Sequence, residues 1–260
     1  MLYAGPMSDE GQAPAGEDAH LSATRAYYDE FAARYEARRD GHDASGYHDL
    51  LDELEIGFVE RFGRGRDVLE VGCGTGLLLR RIQAFARTAE GVDLSPGMLA
   101  LARTRGLSVR EGSATSLPYA DASFDVACSF KVLAHVREVD MALREMARVV
   151  RPGGVVLAEF YNPVSLRGLA KRLGPAGAIS DHTNERAVFT RFDTPWQARA
   201  RGPAGTRLIA SRGVRIVTPA AAVMRIPFLG PALREAARRL CDSPLGFFGG
   251  FWIAAFEKTA

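Results

Sequence analysis

The chain reads as an α/β protein built on a doubly wound, mostly parallel sheet, and three observations carry that reading. Short apolar runs at 68–71, 89–92, 108–110, 126–129 and 155–160 alternate with stretches of helical periodicity near 77–85, 96–104 and 140–149. Strands and helices that alternate in this way form a parallel sheet with helices on its faces. The first run passes through three closely spaced glycines straight into a helical stretch. Finally, 260 residues with 47% hydrophobic and 25% charged content are enough for one large α/β domain or two small ones.

Composition also excludes classes. No run of 18 apolar residues is present, so no membrane-spanning helix is expected. Lys plus Arg number 33 against 31 Asp plus Glu, a net +2, which lacks the basic excess of a protein that coats nucleic acid. Cys73, Cys128 and Cys241 are odd in number and scattered, with neither metal-ligand spacing nor a disulfide framework, which favours a reducing, cytoplasmic setting. The basic side is almost wholly arginine, with lysine only at 131, 171 and 258, a bias most simply genomic.

Taken in order, residues 1–20 are rich in Gly, Pro, Ala and acid and lack the basic and apolar regions of a signal peptide, which reads as a disordered tail with Met1 or Met7 as the start. From residue 21 the pattern is helical: Ser22 or Thr24 can cap a segment carrying Tyr27, Tyr28, Phe31, Ala32 and Tyr35 at helical spacing. A second helix over 46–62 places Leu50, Leu51, Leu54 and Phe58 on one face before Gly63 and Gly65 end it. The strand–helix alternation follows, and Arg151-Pro152-Gly153-Gly154 reads as a stop and turn before its last strand. After Pro163 periodicity weakens to residue 205, an insertion or lid. Two strand-like runs, 206–218 and 250–257, close the chain around an amphipathic helix at 231–241. The organisation is thus one domain over 21–260: a helical cap to 62, a core over 63–162, a lid over 163–205, and closing strands and helix over 206–260.

The sharpest chemical signal is Val68-Leu69-Glu70-Val71-Gly72-Cys73-Gly74-Thr75-Gly76. Glycines let the backbone turn tightly and approach a ligand, and the helix that follows offers unpaired N–H groups. The spacing is G-x-G-x-G rather than the G-x-G-x-x-G of dinucleotide sites; alone it also fits a plain strand–helix turn. Asp93 ends the second strand about twenty residues on, where a carboxylate can accept both hydroxyls of a ribose or can cap a helix.

The ordered set E-V-G-C-G-T-G (70–76), V-D-L-S (92–95), G-S-A-T-S-L-P-Y (112–119), S-F-D-V-A (123–127) and R-V-V-R-P-G-G (148–154) resembles the class I S-adenosylmethionine-dependent methyltransferases. The nearest branch is the small-molecule one known as methyltransferase type 11 or ubiquinone-biosynthesis-like, and the likeness is strong over 27–160. It implies a Rossmann-like sheet of seven strands with the last antiparallel, and S-adenosyl-L-methionine as cofactor. By that resemblance Gly72, Cys73, Gly74 and Gly76 pack against the methionine portion, and Glu70 lies near its cationic groups. Asp93 holds the ribose, Leu94 and Met98 line the adenosine pocket, and the Phe130 carbonyl accepts from the ammonium. The family commonly has Asp where this chain has Ser113, so adenine contact falls to Ser113, Ala114 and Thr115. Tyr28 or Tyr35 reaches the methionine carboxylate, or both only pack the first helix.

Methyl transfer demands in-line approach and exclusion of water more than a protein nucleophile. Where an acceptor hydroxyl needs a base, His135 is the first candidate, or else a histidine that packs its turn. Tyr161, Asn162, His182 and Asn184 are the candidate substrate contacts. Tyr161-Asn162-Pro163 is a fragment of the motif of nucleic-acid amino-methyltransferases but follows the fifth strand, not the fourth, which argues against a base-flipping enzyme. Expected partners are therefore a small-molecule acceptor, such as a specialised metabolite, with no nucleic acid and no membrane. The alternatives are a non-catalytic protein that binds the cofactor and, less favoured by the glycine spacing, an NAD-dependent oxidoreductase.

Overall fold

The computed structural model describes residues 22, 25–29, 32, 46–165, 189–218 and 221–259. Tyr35, His182, Asn184, the first twenty residues and the middle of the expected lid lie outside them.

The first long helix, α1 (Tyr47–Gly63), buries Leu50, Leu51, Leu54 and Phe58, the face its periodicity specified. Gly46 supplies the left-handed turn before it (φ 58°), and its carbonyl accepts from Leu50 N–H and from Arg234 Nη1. The alternation then follows as β1 (Asp67–Val71), α2 (Leu77–Gln83), β2 (Thr88–Asp93), α3 (Pro96–Thr104), β3 (Ser108–Glu111), β4 (Phe124–Ser129), α4 (Val139–Val149) and β5 (Val150–Tyr161). The chain continues through α5 (Pro195–Ala200), β6 (Thr206–Val214), α6 (Leu229–Leu240) and β7 (Phe251–Lys258).

The seven strands lie in the order β3-β2-β1-β4-β5-β7-β6. Pairs among β1 to β5 are parallel, while β7 runs antiparallel to both β5 and β6. Period-two alternation sorts side chains to the two faces. Val68, Cys128, Val155, Leu157, Ile253 and Ala255 pack with α1 and α6, whereas Leu69, Val71, Val156, Ala158 and Phe160 pack with α4 and α5. Strand order reverses between β1 and β4, so the crevice for a ligand opens beyond the carboxyl ends of those strands.

Three sequence expectations are corrected. Arg151–Gly154 does not end an element but is the irregular opening of β5, whose pairing with β4 shifts between Phe124 and Val126. Gly153 has φ 77°, and a Cβ on Gly154 would lie 2.4 Å from the Asp125 carbonyl oxygen, so the bulge requires both glycines. The run at 206–218 is strand only to Val214; Arg215 takes a left-handed φ of 64° and turns the chain out of the sheet. Within the weakly periodic stretch lies the short helix α5. Its signal was Thr194-Pro195-Trp196-Gln197, a capping box in which the Thr194 side chain accepts from Gln197 N–H and the Gln197 side chain from Thr194 N–H.

Two motif arginines have structural work at the amino edge. Arg151 Nη1 reaches Asp67 (3.1 Å) and Asp125 (2.9 Å), and Arg87 pairs with Asp67, tying β1, β2, β4 and β5 together. Arg148 binds Glu145 and Asp121 and donates to the carbonyls of Leu117 and Tyr119, fixing the segment before β4.

Candidate functional site

The site is built at the carboxyl edge of β1, β2 and β4. After β1 the chain makes three left-handed turns at Gly72 (φ 78°), Gly74 (φ 53°) and Gly76 (φ 81°), conformations that L side chains resist. The loop must also be bare: a Cβ on Gly72 would meet Val132 Cγ2 at 2.3 Å and one on Gly76 would meet Leu107 Cδ1 at 2.2 Å. At Gly74 a Cβ would meet nothing within 4 Å among the described residues, so no described side chain fills the space beside this glycine. Cys73, buried behind the loop, has its thiol pushed far up by burial, which suits packing and not nucleophilic chemistry.

Asp93, at the end of β2, reaches back to that loop. Its Oδ2 accepts the Gly74 N–H at 2.8 Å and its Oδ1 the Ser95 N–H at 2.9 Å. Burial raises its pKa, opposed by those backbone hydrogen bonds. It is not the helix cap: Ser95 caps α3 by accepting from Met98 N–H at 3.1 Å. Leu94 is half-buried and Met98 buried beside it. From the amino-terminal segment, Asp29 accepts from Gly97 N–H at 2.9 Å and from the Ser95 hydroxyl, so residues 25–29 dock onto this edge with half-buried Tyr28 among them.

The other expected residues fall around the same edge. Ser113 Oγ lies 2.8 Å from Thr115 Oγ1 and accepts the Thr115 N–H, so this hydroxyl closes its own turn around half-buried Ala114. Phe130 is buried at the end of β4. His135 Nδ1 lies 3.0 Å from the Phe189 carbonyl oxygen, and its ring meets Tyr161 edge-on at 5.7 Å. Burial lowers the His135 pKa below 6.5. Tyr161 also packs on Phe251 at 5.0 Å, and Phe192 stands 6.2 Å away, giving an aromatic wall. Asn162 departs from the substrate role expected of it. It is buried, donating to the Phe247 and Gly249 carbonyls at 2.8 and 2.9 Å and accepting from Val164 N–H, which makes it a clamp between β5 and the turn into β7.

Glu70, near the end of β1, is 3% exposed, and its Oε2 has no hydrogen-bond partner among the described residues. Burial, and then the Glu55 charge, push its pKa well up. A buried carboxyl oxygen without a donor fits a ligand that brings a cation. Sequence reasoning passed over the charged groups acting on it, Asp52 and Glu55 on α1 and Lys131 after β4, and Glu159 on β5, which holds the Lys131 N–H. The signal was a carboxylate at 159 inside an otherwise apolar strand.

The methyltransferase-domain family model matches residues 69–158, which span the glycine loop, Asp93, Ser113 and Phe130. A probable S-adenosylmethionine-dependent methyltransferase of Mycolicibacterium smegmatis is 39% identical over 103 residues, covering 39% of this chain and 40% of that protein. A demethylmenaquinone methyltransferase of Mycobacterium marinum is 41% identical over 106 residues, 40% of this chain and 46% of that one. The alignments thus span less than half the length of either relative. Among solved structures, a methyltransferase of Thermotoga maritima described as a possible histamine N-methyltransferase superposes with a TM-score of 0.65 at 20% identity, covering 90% of this chain and 99% of that one. That likeness speaks to the fold. Residues 69–158 thus carry a methyltransferase domain, and the motif order and sheet topology around it are those of the class I S-adenosylmethionine-dependent type.

Proposed function

We propose that this protein transfers the methyl group of S-adenosylmethionine to an oxygen, nitrogen or carbon atom of a small molecule. The observation that carries the reading is the clasp of Asp93 on Gly74 beside the buried Glu70 oxygen that no described residue partners: a bare backbone cradle, a ribose-type acceptor and a cation acceptor on one edge. When bound, the cofactor supplies an electrophilic methyl carbon on a cationic sulfur, so the protein's tasks are orientation, dryness and proton handling.

The residues divide those tasks. Gly72, Cys73, Gly74 and Gly76 form the bare loop, and Glu70 favours the cofactor's positive end. Asp93 keeps a spare lone pair on each oxygen beyond its backbone bonds, enough to receive two ribose hydroxyls. Leu94, Met98, Ser113, Ala114 and Thr115 enclose the adenosine end, with Tyr28 and the Phe130 carbonyl at the methionine end. A carbonyl only accepts, so the contact with Phe189 puts the His135 proton on Nδ1 and leaves the Nε2 lone pair free. His135 then takes the proton of an acceptor hydroxyl as the oxygen attacks. Tyr161 and the aromatic wall exclude water from that exchange. The cap of residues 21–62 and the lid of 163–205 close over the acceptor.

A specialised metabolite is the acceptor class we favour. The demethylmenaquinone methyltransferase likeness makes a quinol the first compound to assay beside it. Calorimetric titration with S-adenosylmethionine and S-adenosylhomocysteine tests the cofactor, and formation of S-adenosylhomocysteine with an acceptor panel tests turnover. Binding of neither at millimolar concentration sinks the reading; binding without turnover on cell extract leaves a non-catalytic cofactor-binding protein.

A further inference from the structure

The sheet face beneath α1 carries an unusual amount of charge. Glu159 is 1% exposed in β5, and its Oε1 accepts the backbone N–H of Lys131 at 2.9 Å. Lys131 follows Phe130, the first residue beyond β4, and holds a left-handed φ of 60°, a conformation that costs a non-glycine residue about 1–2 kcal/mol. Its Nζ donates to Glu55 Oε2 at 2.7 Å and to Asp52 Oδ1 at 3.5 Å, so α1 grips the same turn from the other side.

The Lys131 N–H and the Phe130 C=O belong to one peptide unit. That unit is planar and trans, so the two bonds point in opposite directions. Fixing the N–H on Glu159 therefore fixes where the carbonyl points. A hydrogen bond at the N–H end also polarises the amide and makes its oxygen the stronger acceptor. Burial, and then the neighbouring Glu55 charge, push the Glu159 pKa well up while Lys131 opposes them, so Glu159, Glu55, Asp52 and Lys131 form one linked group. Such a group is built to hold the turn, and a left-handed lysine held from two sides marks this peptide as one whose orientation matters.

We infer that Glu159 is a positioning residue for cofactor binding: by holding the Lys131 N–H it aims and polarises the Phe130 carbonyl as the acceptor of the cofactor's ammonium group. This rests on the reading that S-adenosylmethionine occupies the crevice. Ligands that carry the ammonium should then feel Glu159, and ligands that lack it should not.

The test is calorimetry on the full chain, in wild type and in Glu159→Leu and Glu159→Gln, with two ligands. S-Adenosylhomocysteine carries the ammonium; 5′-methylthioadenosine keeps the adenosine and the thioether without it. Glu159→Leu is expected to weaken S-adenosylhomocysteine about 10–100-fold and 5′-methylthioadenosine less than about twofold. Glu159→Gln still offers an oxygen to the N–H but no charge, and should recover most of that loss, to within about tenfold of wild type. Equal losses for both ligands, or unchanged S-adenosylhomocysteine affinity, overturn the inference. If Glu159→Leu shows no thermal unfolding transition, the same two-ligand comparison in Glu159→Gln decides. A wild-type protein that binds neither ligand overturns the methyltransferase reading itself, and the inference with it.

Discussion

Asp93 Oδ2 accepts the Gly74 N–H at 2.8 Å, so the end of one strand clasps the loop that leaves its neighbour. The carboxylate assigned to the ribose also shapes the cradle for the methionine end. Asp93→Ala removes acceptors from two backbone N–H groups and should cost about 1–3 kcal/mol of stability. Affinity for S-adenosylhomocysteine should fall at least about tenfold, more than the unfolded fraction explains. Calorimetry paired with urea unfolding separates the two; unchanged affinity removes the ribose role.

His135 is expected to act as a neutral base, because burial holds its pKa below the ordinary 6.5. For a hydroxyl acceptor, kcat/KM should rise with pH through a value below 6.5 and then stay level. His135→Gln should lower kcat about 10²-fold or more while leaving S-adenosylhomocysteine affinity within about twofold. A pH profile unchanged by that substitution assigns the proton to another group.

Gly72→Ala places a methyl 2.3 Å from Val132 Cγ2 at a φ of 78°. The expected cost is about 2–4 kcal/mol, part steric and part conformational. Val132→Ala in the same chain should relieve the steric part and leave about 1–2 kcal/mol. Urea midpoints for the two single variants and the double variant form a cycle. Simple additivity would show that the two side chains do not collide.

Asp67 is held well below the ordinary 3.8 by hydrogen bonds from Arg87, with Thr88 and Arg151 adding to them. A carboxylate with a depressed folded pKa contributes stability above its unfolded value and loses it as pH falls. Because Arg87 is well exposed, the contribution is expected at about 1–2 kcal/mol, not the full shift. Asp67→Asn should be destabilising by that amount at pH 7, and the difference should shrink as the pH falls below about 4. A difference at about pH 2 as large as that at pH 7 assigns the loss to packing.

Much of this architecture was legible because it depends on periodicity. Val68–Val71 and Val155–Phe160 announce buried strands, and Gly72, Gly74 and Gly76 announce a loop that only glycine can make. What local pattern could not give was pairing across the chain. Nothing near Asn162 says that its amide will be taken up by the Phe247 and Gly249 carbonyls, 85 and 87 positions away. Lys131 and Glu55 are separated by 76 residues, and only the closing of α1 over the sheet brings them to 2.7 Å. The left-handed turns at Lys131 and Arg215 had no glycine to mark them.

The strand order has a consequence for how the chain is made. β7 lies between β5 and β6 and supplies the partner for both, yet it is made after the other six strands of this sheet. Until residues 251–258 emerge, a nascent chain holding every other element carries two strand edges facing a gap, and one of them belongs to the strand that bears Glu159 and Tyr161. Completion of this sheet therefore waits on the seventh of its strands to be made. Damage to β7 is expected to appear first as aggregation of newly made protein and only afterwards as lost activity.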